Sequence, residues 1–211
     1  MTWCSASPGA RPAPSSPTSS VLRTTLPAST ATLTAETALS AWVEIGLSVA
    51  RAGVRKIVIV NSHGGNLDLV SILSRELRVQ AGMLAVKCQW MGFGLPVGMY
   101  SAQERSFGIH GGDVETSLML DFHPDCVDMA AARDFRSSAE DAAIPPVGPL
   151  SYGWISADLN PAGVAGEAHL ATADKGRAVV DAAAQQLVRL LQELHDLPLA
   201  TLVDGAGGLV E

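Results

Sequence analysis

The chain has 211 residues, 47% of them hydrophobic and 17% charged, which is enough for one substantial core and too few for two comfortable domains. A net charge of −7 without a clustered basic stripe would repel a nucleic-acid backbone, and no apolar run reaches the roughly 18 residues of a membrane span or forms the core of a secretory signal. Cys4, Cys88 and Cys126 are odd in number and widely spaced with no CxxC pair, which speaks against a disulfide framework and a thiolate zinc site and suits a soluble cytoplasmic protein.

Residues 1–31 are dominated by Ser, Thr, Pro and Ala, show no helical or strand period, and contain no Asp, Glu or His, so they read as a disordered arm. An organelle transit peptide would need an amphipathic Arg-rich face, which Arg11 and Arg23 do not build. The texture changes at 32, and residues 32–196 read as the folded domain, followed by a flexible tail over 197–211.

Thr34 is placed to cap a helix in which Leu39, Trp42, Val43, Gly46, Val49 and Ala50 recur at buried-stripe spacing, ending near Gly53. "RKIVIVN" then predicts a short strand apolar on both faces, the pattern of a buried parallel strand. "NLDLVSILSRELRVQAG" predicts a second amphipathic helix with Gly82 as its cap, and "MLAVKCQW" a second buried strand. Helix, strand, helix, strand with short connections is the signature of a parallel sheet covered by helices, an α/β fold. A last helix is expected near 172–196, with Val179, Ala183, Leu187, Leu190, Leu191 and Leu194 facing core or a subunit interface and with Asp174 and Lys175 solvated.

Ligands gather at the carboxyl ends of strands in such sheets, and "NSHGGN" (61–66) lies there. Gly64 and Gly65 would let the backbone approach a ligand; the bland alternative is a glycine turn with Asn66 capping the next helix and His63 bonding its neighbours. "GIHGGDVETSLML" (108–120) brings His110, Asp113 and Glu115 to the start of a helix whose Leu118, Met119 and Phe122 can pack inward. Imidazole and carboxylate together suit a hard or borderline divalent metal, although Asp113 and Glu115 could equally complement a helix dipole.

"VNSHGGN" followed by "HGGDVETSLML", with "GVAGEAHLATADKGR" at 163–177, resembles the creatininase family of metal-dependent amidohydrolases, over roughly Thr32 to Leu194. The resemblance implies a three-layer α/β fold with a mostly parallel sheet flanked by helices, commonly assembled into homo-hexamers. It also implies a dinuclear centre of zinc, manganese or iron acting on non-peptide or cyclic amide C–N bonds. By motif, His63 and Glu115 would be metal ligands, and His110 the histidine that binds substrate or relays a proton. A metal-bound hydroxide would attack the carbonyl, and a group that ordinarily titrates near neutrality would deliver the proton to the leaving nitrogen. Asn66, in the first motif, and Trp154, in the aromatic and amide stretch with Tyr152 and Asn160, are candidate substrate contacts. "QWMGFGLPVGMY" (89–100) reads either as a pocket lining or as a subunit contact, and His123, His169 and His195 are expected at the surface without a catalytic role.

The family's first motif supplies a Glu, a His and a bridging Asp. Here no acidic residue precedes Glu36 and no histidine precedes His63, so those three ligands have no counterpart. Asp68 and Asp113 are possible substitutes, but both read more simply as solvated first-turn carboxylates. A Pro/Ser/Ala/Arg-rich start beside an absent motif leads to the expectation that 1–31 is a mis-framed segment rather than an evolved one. Two functions follow from the sequence: a metal-dependent hydrolase of a small-molecule amide, or a catalytically impaired creatininase-like protein.

Overall fold

A computed structural model describes residues 33–202, so the expectations for the arm at 1–31, and for the tail beyond 202, lie outside the described residues. Two compact units are present, one of residues 33–94 with 183–202 and one of Leu95–Ala182, and the last helix runs through the division.

In the first unit, helix α1 (Ala35–Arg51) starts where expected: the Thr37 N–H donates to Thr34 Oγ1 at 3.2 Å, satisfying a donor that a helix start leaves open. Strands β1 (Lys56–Asn61) and β2 (Leu84–Gln89) pair in parallel from Lys56 opposite Leu84 to Asn61 opposite Gln89, and helix α2 (Leu67–Ala81) connects them. Gly82 ends α2 with φ 64°, and its N–H reaches back to Arg78 O at 3.1 Å, a conformation that favours glycine. Ala50, Leu73, Leu77 and Met83 form the core, with Trp42, Val43, Ile57 and Ile59 packed against it.

The expectation that β1 is buried on both faces does not hold throughout, since Val60 is 53% exposed. Among the described residues β1 has β2 as its single partner, and a strand at the edge of a two-stranded sheet has too little cover for an all-apolar sequence. The last helix, α6 (Ala173–Asp196), buries Val179, Ala183 and Leu194 but leaves Leu191 about half exposed. Lys56 Nζ donates to the Leu194 and His195 carbonyls at 2.8 and 2.6 Å, placing a cation on the negative end of α6. His195 lies in the last turn of that helix.

The second unit holds helices α3 (Ala102–Phe107), α4 (Asp113–Phe122) and α5 (Ser156–Leu159), with a short antiparallel pair of β3 (Asp134–Phe135) and β4 (Gly166–Glu167). Ala139, Leu159 and Ala165 are its buried cluster, covered by Phe107, Ile109 and Trp154. Leu118 packs inward on α4 as expected, whereas Phe122 at the helix end is 50% exposed. No described helix is long and apolar enough to cross a membrane.

Candidate functional site

The NSHGGN turn is held from below by amides. Asn61 Nδ2 donates to the His63 carbonyl at 2.8 Å and to Gln89 Oε1 at 2.6 Å, so the carboxyl ends of both parallel strands fix the turn. His63 itself has extended backbone (φ −126°, ψ 121°) and an exposed side chain. Gly64–Asn66 forms one 3-10 turn, closed by the Asn66 N–H on the His63 carbonyl at 3.1 Å. Neither Gly64 nor Gly65 has positive φ, so the turn does not need glycine for its dihedrals. Asn66 does not cap α2: it is 4% exposed, has helical backbone, and points Nδ2 at Asn61 Oδ1, 3.5 Å away, while its own Oδ1 is buried without a partner. Asp68 in the first turn of α2 is exposed, as a solvated carboxylate should be.

The second motif is built differently. His110 bridges Ala165 in antiparallel fashion, with Ala165 N–H to His110 O at 2.7 Å and His110 N–H to Ala165 O at 3.3 Å. Gly111 takes φ 67°, and its N–H donates to Glu115 Oε2 at 2.6 Å, so Glu115 closes the turn from the first turn of α4. That same oxygen lies 3.7 Å from His110 Nδ1, too long for a hydrogen bond but close for a charge pair, with both side chains partly exposed. His110 and Glu115 are therefore brought together, while His63 belongs to the other unit.

Asp113 is not a solvated carboxylate, and Lys175 is not a solvated lysine. Asp113 is 1% exposed, accepts from Lys175 Nζ at 2.5 Å and from the Ser117 hydroxyl at 3.0 Å. An ionised carboxylate this deep requires a paired cation and hydrogen bonds, which commits Asp113 to packing rather than to a ligand.

Sequence reasoning missed Glu104. It is 2% exposed, and its carboxylate accepts from the Val114 N–H at 3.0 Å and the Glu167 N–H at 2.8 Å. Burial pushes this carboxyl above the ordinary range, the two backbone donors pull it back, and the Asp113 and Glu167 charges push it up further. Beside it, Tyr100 is pushed up to about 12, chiefly by burial and then by the Asp113 charge. A Ser117 hydroxyl nearby lowers it, yet that hydroxyl donates to Asp113 and the phenol oxygen is left without a hydrogen bond. "SAQE" at 101–104 has the spacing of a capping box, and Ser101 Oγ does accept from the Glu104 N–H at 2.9 Å. The Glu104 side chain, however, turns away to the other two elements, which a local signature does not reveal.

Trp154 donates its indole N–H to Pro146 O at 2.7 Å and packs on the core cluster, and Asn160 spends its amide on Arg136 O and the Ala162 N–H. Tyr152 and His169 are exposed, and so is Val97 of the 89–100 stretch. A catalytic zinc ordinarily takes three protein ligands. Among the described residues no three His, Cys, Asp or Glu side chains are grouped to hold a metal ion, so the described residues by themselves do not make up such a centre.

Comparison with known proteins places this arrangement. A family model described as creatininase, creatinine amidohydrolase, matches residues 13–191, starting ahead of the Thr32 at which the motif resemblance begins. A Bacteroides fragilis NCTC 9343 protein assigned as a creatinine amidohydrolase superposes with a TM-score of 0.62 at 24% identity, covering 80% of this chain, which in turn spans 65% of that protein. A creatininase mutant in its Zn–Zn form gives 0.59 at 25% identity, covering 80% of this chain and 67% of that one. Creatininase with Mn gives 0.58 at 25% identity over 79% and 67%. No curated protein matches the chain. With the family match extending over most of its length and the same α/β fold in its structural neighbours, the chain belongs to the creatininase family.

Proposed function

We propose that the chain is an amidohydrolase of a small, non-peptide or cyclic amide, with His110 as the proton-handling residue. The observation that carries this reading is the His110–Glu115 pair, held on a turn whose backbone is anchored at both ends. Hydrolysis of an amide needs a proton taken from the attacking water and one delivered to the leaving nitrogen, and an imidazole beside a carboxylate can do both. Glu115 Oε2 faces Nδ1 at 3.7 Å, which leaves Nε2 for the substrate. Relatives with Zn–Zn and Mn centres support a divalent metal; zinc before manganese or iron, with His63 and Glu115 as ligands, is what the motif resemblance implies. Those two fall short of the usual three, so no step is assigned to a metal here.

A second reading, favoured by the lack of a three-ligand group among the described residues, is a creatininase-like protein that does not turn over. Metal content of the purified chain beside a His63→Ala, Glu115→Ala double variant, followed by a screen of cyclic and small amides, separates the two. Near-stoichiometric metal that the double variant loses, with amidase activity abolished by His110→Asn, supports the hydrolase. No metal and no turnover in the intact chain supports the second reading. A small-molecule amide as partner, a homo-oligomer and a cytoplasmic location are parts of the same proposal, the oligomer being open to analytical ultracentrifugation.

A further inference from the structure

We propose that Glu104 is the positioning residue for His110, acting through the two backbone elements that hold the histidine's turn. The idea rests on the hydrolase reading only for its consequence in catalysis. Its structural content stands on the geometry of one buried carboxylate.

The turn that carries His110 has two supports. One is the bridge to Ala165, directly before β4; the other is the start of α4. Glu104 reaches both, since Oε1 accepts from Val114 in α4 and Oε2 from Glu167 in β4. It is also tied to the turn's other side through the Gly108 N–H, which donates to the Glu104 carbonyl at 2.8 Å.

Three glycines of the motifs face the same carboxylate. A Cβ on Gly108 would stand 2.5 Å from Oε2, one on Gly112 2.5 Å from Oε1, and one on Gly166 2.7 Å from Oε2. Real Cβ atoms do not approach so closely, so at Gly108 and Gly112 the carboxylate fills the room a side chain would take, while at Gly166 the Gly112 and Gly108 Cα atoms, 2.7 and 2.9 Å away, and a φ of 139° require glycine as well. The glycines of "GIHGG" and "GVAG" thus shape a cradle for Glu104.

An acid is required there for a reason beyond shape. Two N–H donors from different elements need two acceptors in one fork, and a carboxylate supplies both. A glutamine would set its NH2 against either Val114 or Glu167 and leave one buried donor unsatisfied, which releases one support of the turn.

The test uses the full-length chain with Glu104→Gln, and with Gly112→Ala, which crowds the carboxylate without removing it. Val179→Ala, a core truncation in α6, serves as a control for general destabilisation. Amide hydrogen exchange and the ring 15N resonances of His110 are the readouts, the latter assigned by His110→Asn. In either Glu104→Gln or Gly112→Ala, exchange at Val114 or Glu167 should rise about tenfold or more over that in α6, and the His110 ring signals should shift or broaden. Val179→Ala should leave those signals unchanged. Wild-type exchange at both amides, or a uniform rise over the whole unit with unmoved His110 signals, overturns the proposal. If the wild-type chain also hydrolyses an amide, Glu104→Gln should lower kcat with little change in KM. A wild type without turnover sinks the hydrolase reading, while the exchange and ring signals still decide the role of Glu104.

Discussion

Gly176→Ala is the sharpest test of how α4 and α6 meet within the second unit. A Cβ at 176 would lie inside contact distance of the Ser117 carbonyl oxygen, 2.6 Å from Ser117 C and 3.0 Å from Leu118 N. All three are backbone atoms of α4, which no rotamer change can move, so the helices would have to part by roughly 1 Å to restore ordinary contact. Overpacking of this kind costs about 3 kcal/mol at the upper end of its range, and alanine in a helix interior returns about 1 kcal/mol. The net loss is about 2 kcal/mol, to which weakening of the Thr172 N–H to Ser117 Oγ bond (3.1 Å) adds. For a chain of this size that lowers the melting temperature by roughly 4–8 °C. Gly46→Ala should cost less, because its Cβ meets only the side-chain end of Leu77, with Cδ1 at 2.7 Å. Gly153→Ala, with nothing within 4 Å, should be neutral or stabilising by a few tenths of a kcal/mol. Differential scanning calorimetry of the three variants decides the matter. A Gly176→Ala protein as stable as Gly153→Ala would refute the backbone contact and with it the packing of α6 on α4.

Other consequences follow from the buried polar groups. Lys175→Met strands Asp113 and should cost about 3 kcal/mol, whereas Lys175→Met combined with Asp113→Asn should recover most of it, as read by urea unfolding in a double-variant cycle. Glu104 binds its proton more tightly folded than unfolded, so its contribution to stability is full below about 4.5 and is lost as pH rises through the folded value; Asp113 and Glu167 are the charges that face it. Unfolding free energy followed upward from pH 4.5 should carry that negative slope in the wild type and lack it in Glu104→Gln; equal slopes would contradict the assignment. Tyr100, raised from 10.0 to about 12, stabilises the fold below pH 10 and loses that contribution as pH climbs towards 12. The late phenolate absorbance step should vanish in Tyr100→Phe.

What could be read from the sequence was set within a few residues. Thr34 caps through a donor three positions on, Gly82 ends α2 by its own dihedral, and the stripe from Leu39 to Ala50 follows one helical period, so each was visible locally. The capping alternative for Asn66 fails because an N-cap position looks the same in sequence whether the amide bonds forward into the helix or backward to Asn61. Asp113 and Lys175 each look like helix-surface charges, and only their meeting across 62 positions makes them a buried pair. Glu104 is harder still, since its two donors stand 10 and 63 residues away. Val60 failed for the opposite reason: a continuous apolar run states what a strand could bury on both faces, while actual burial depends on how many neighbours cover it.

The two H-G-G turns show why matching letters do not mean matching physics. A Cβ at Gly64 would meet nothing within 4 Å, and the turn around it uses ordinary negative φ, so its glycine leaves open space beside an exposed imidazole. At the second turn Gly111 needs its positive φ, Gly112 needs its missing Cβ, and the histidine ahead of them is tied to a strand and a helix. The first turn is therefore shaped to leave His63 accessible, and the second to hold His110 still. The same pair of letters therefore serves two different physical ends: open space beside His63, and room for the Glu104 carboxylate beside His110.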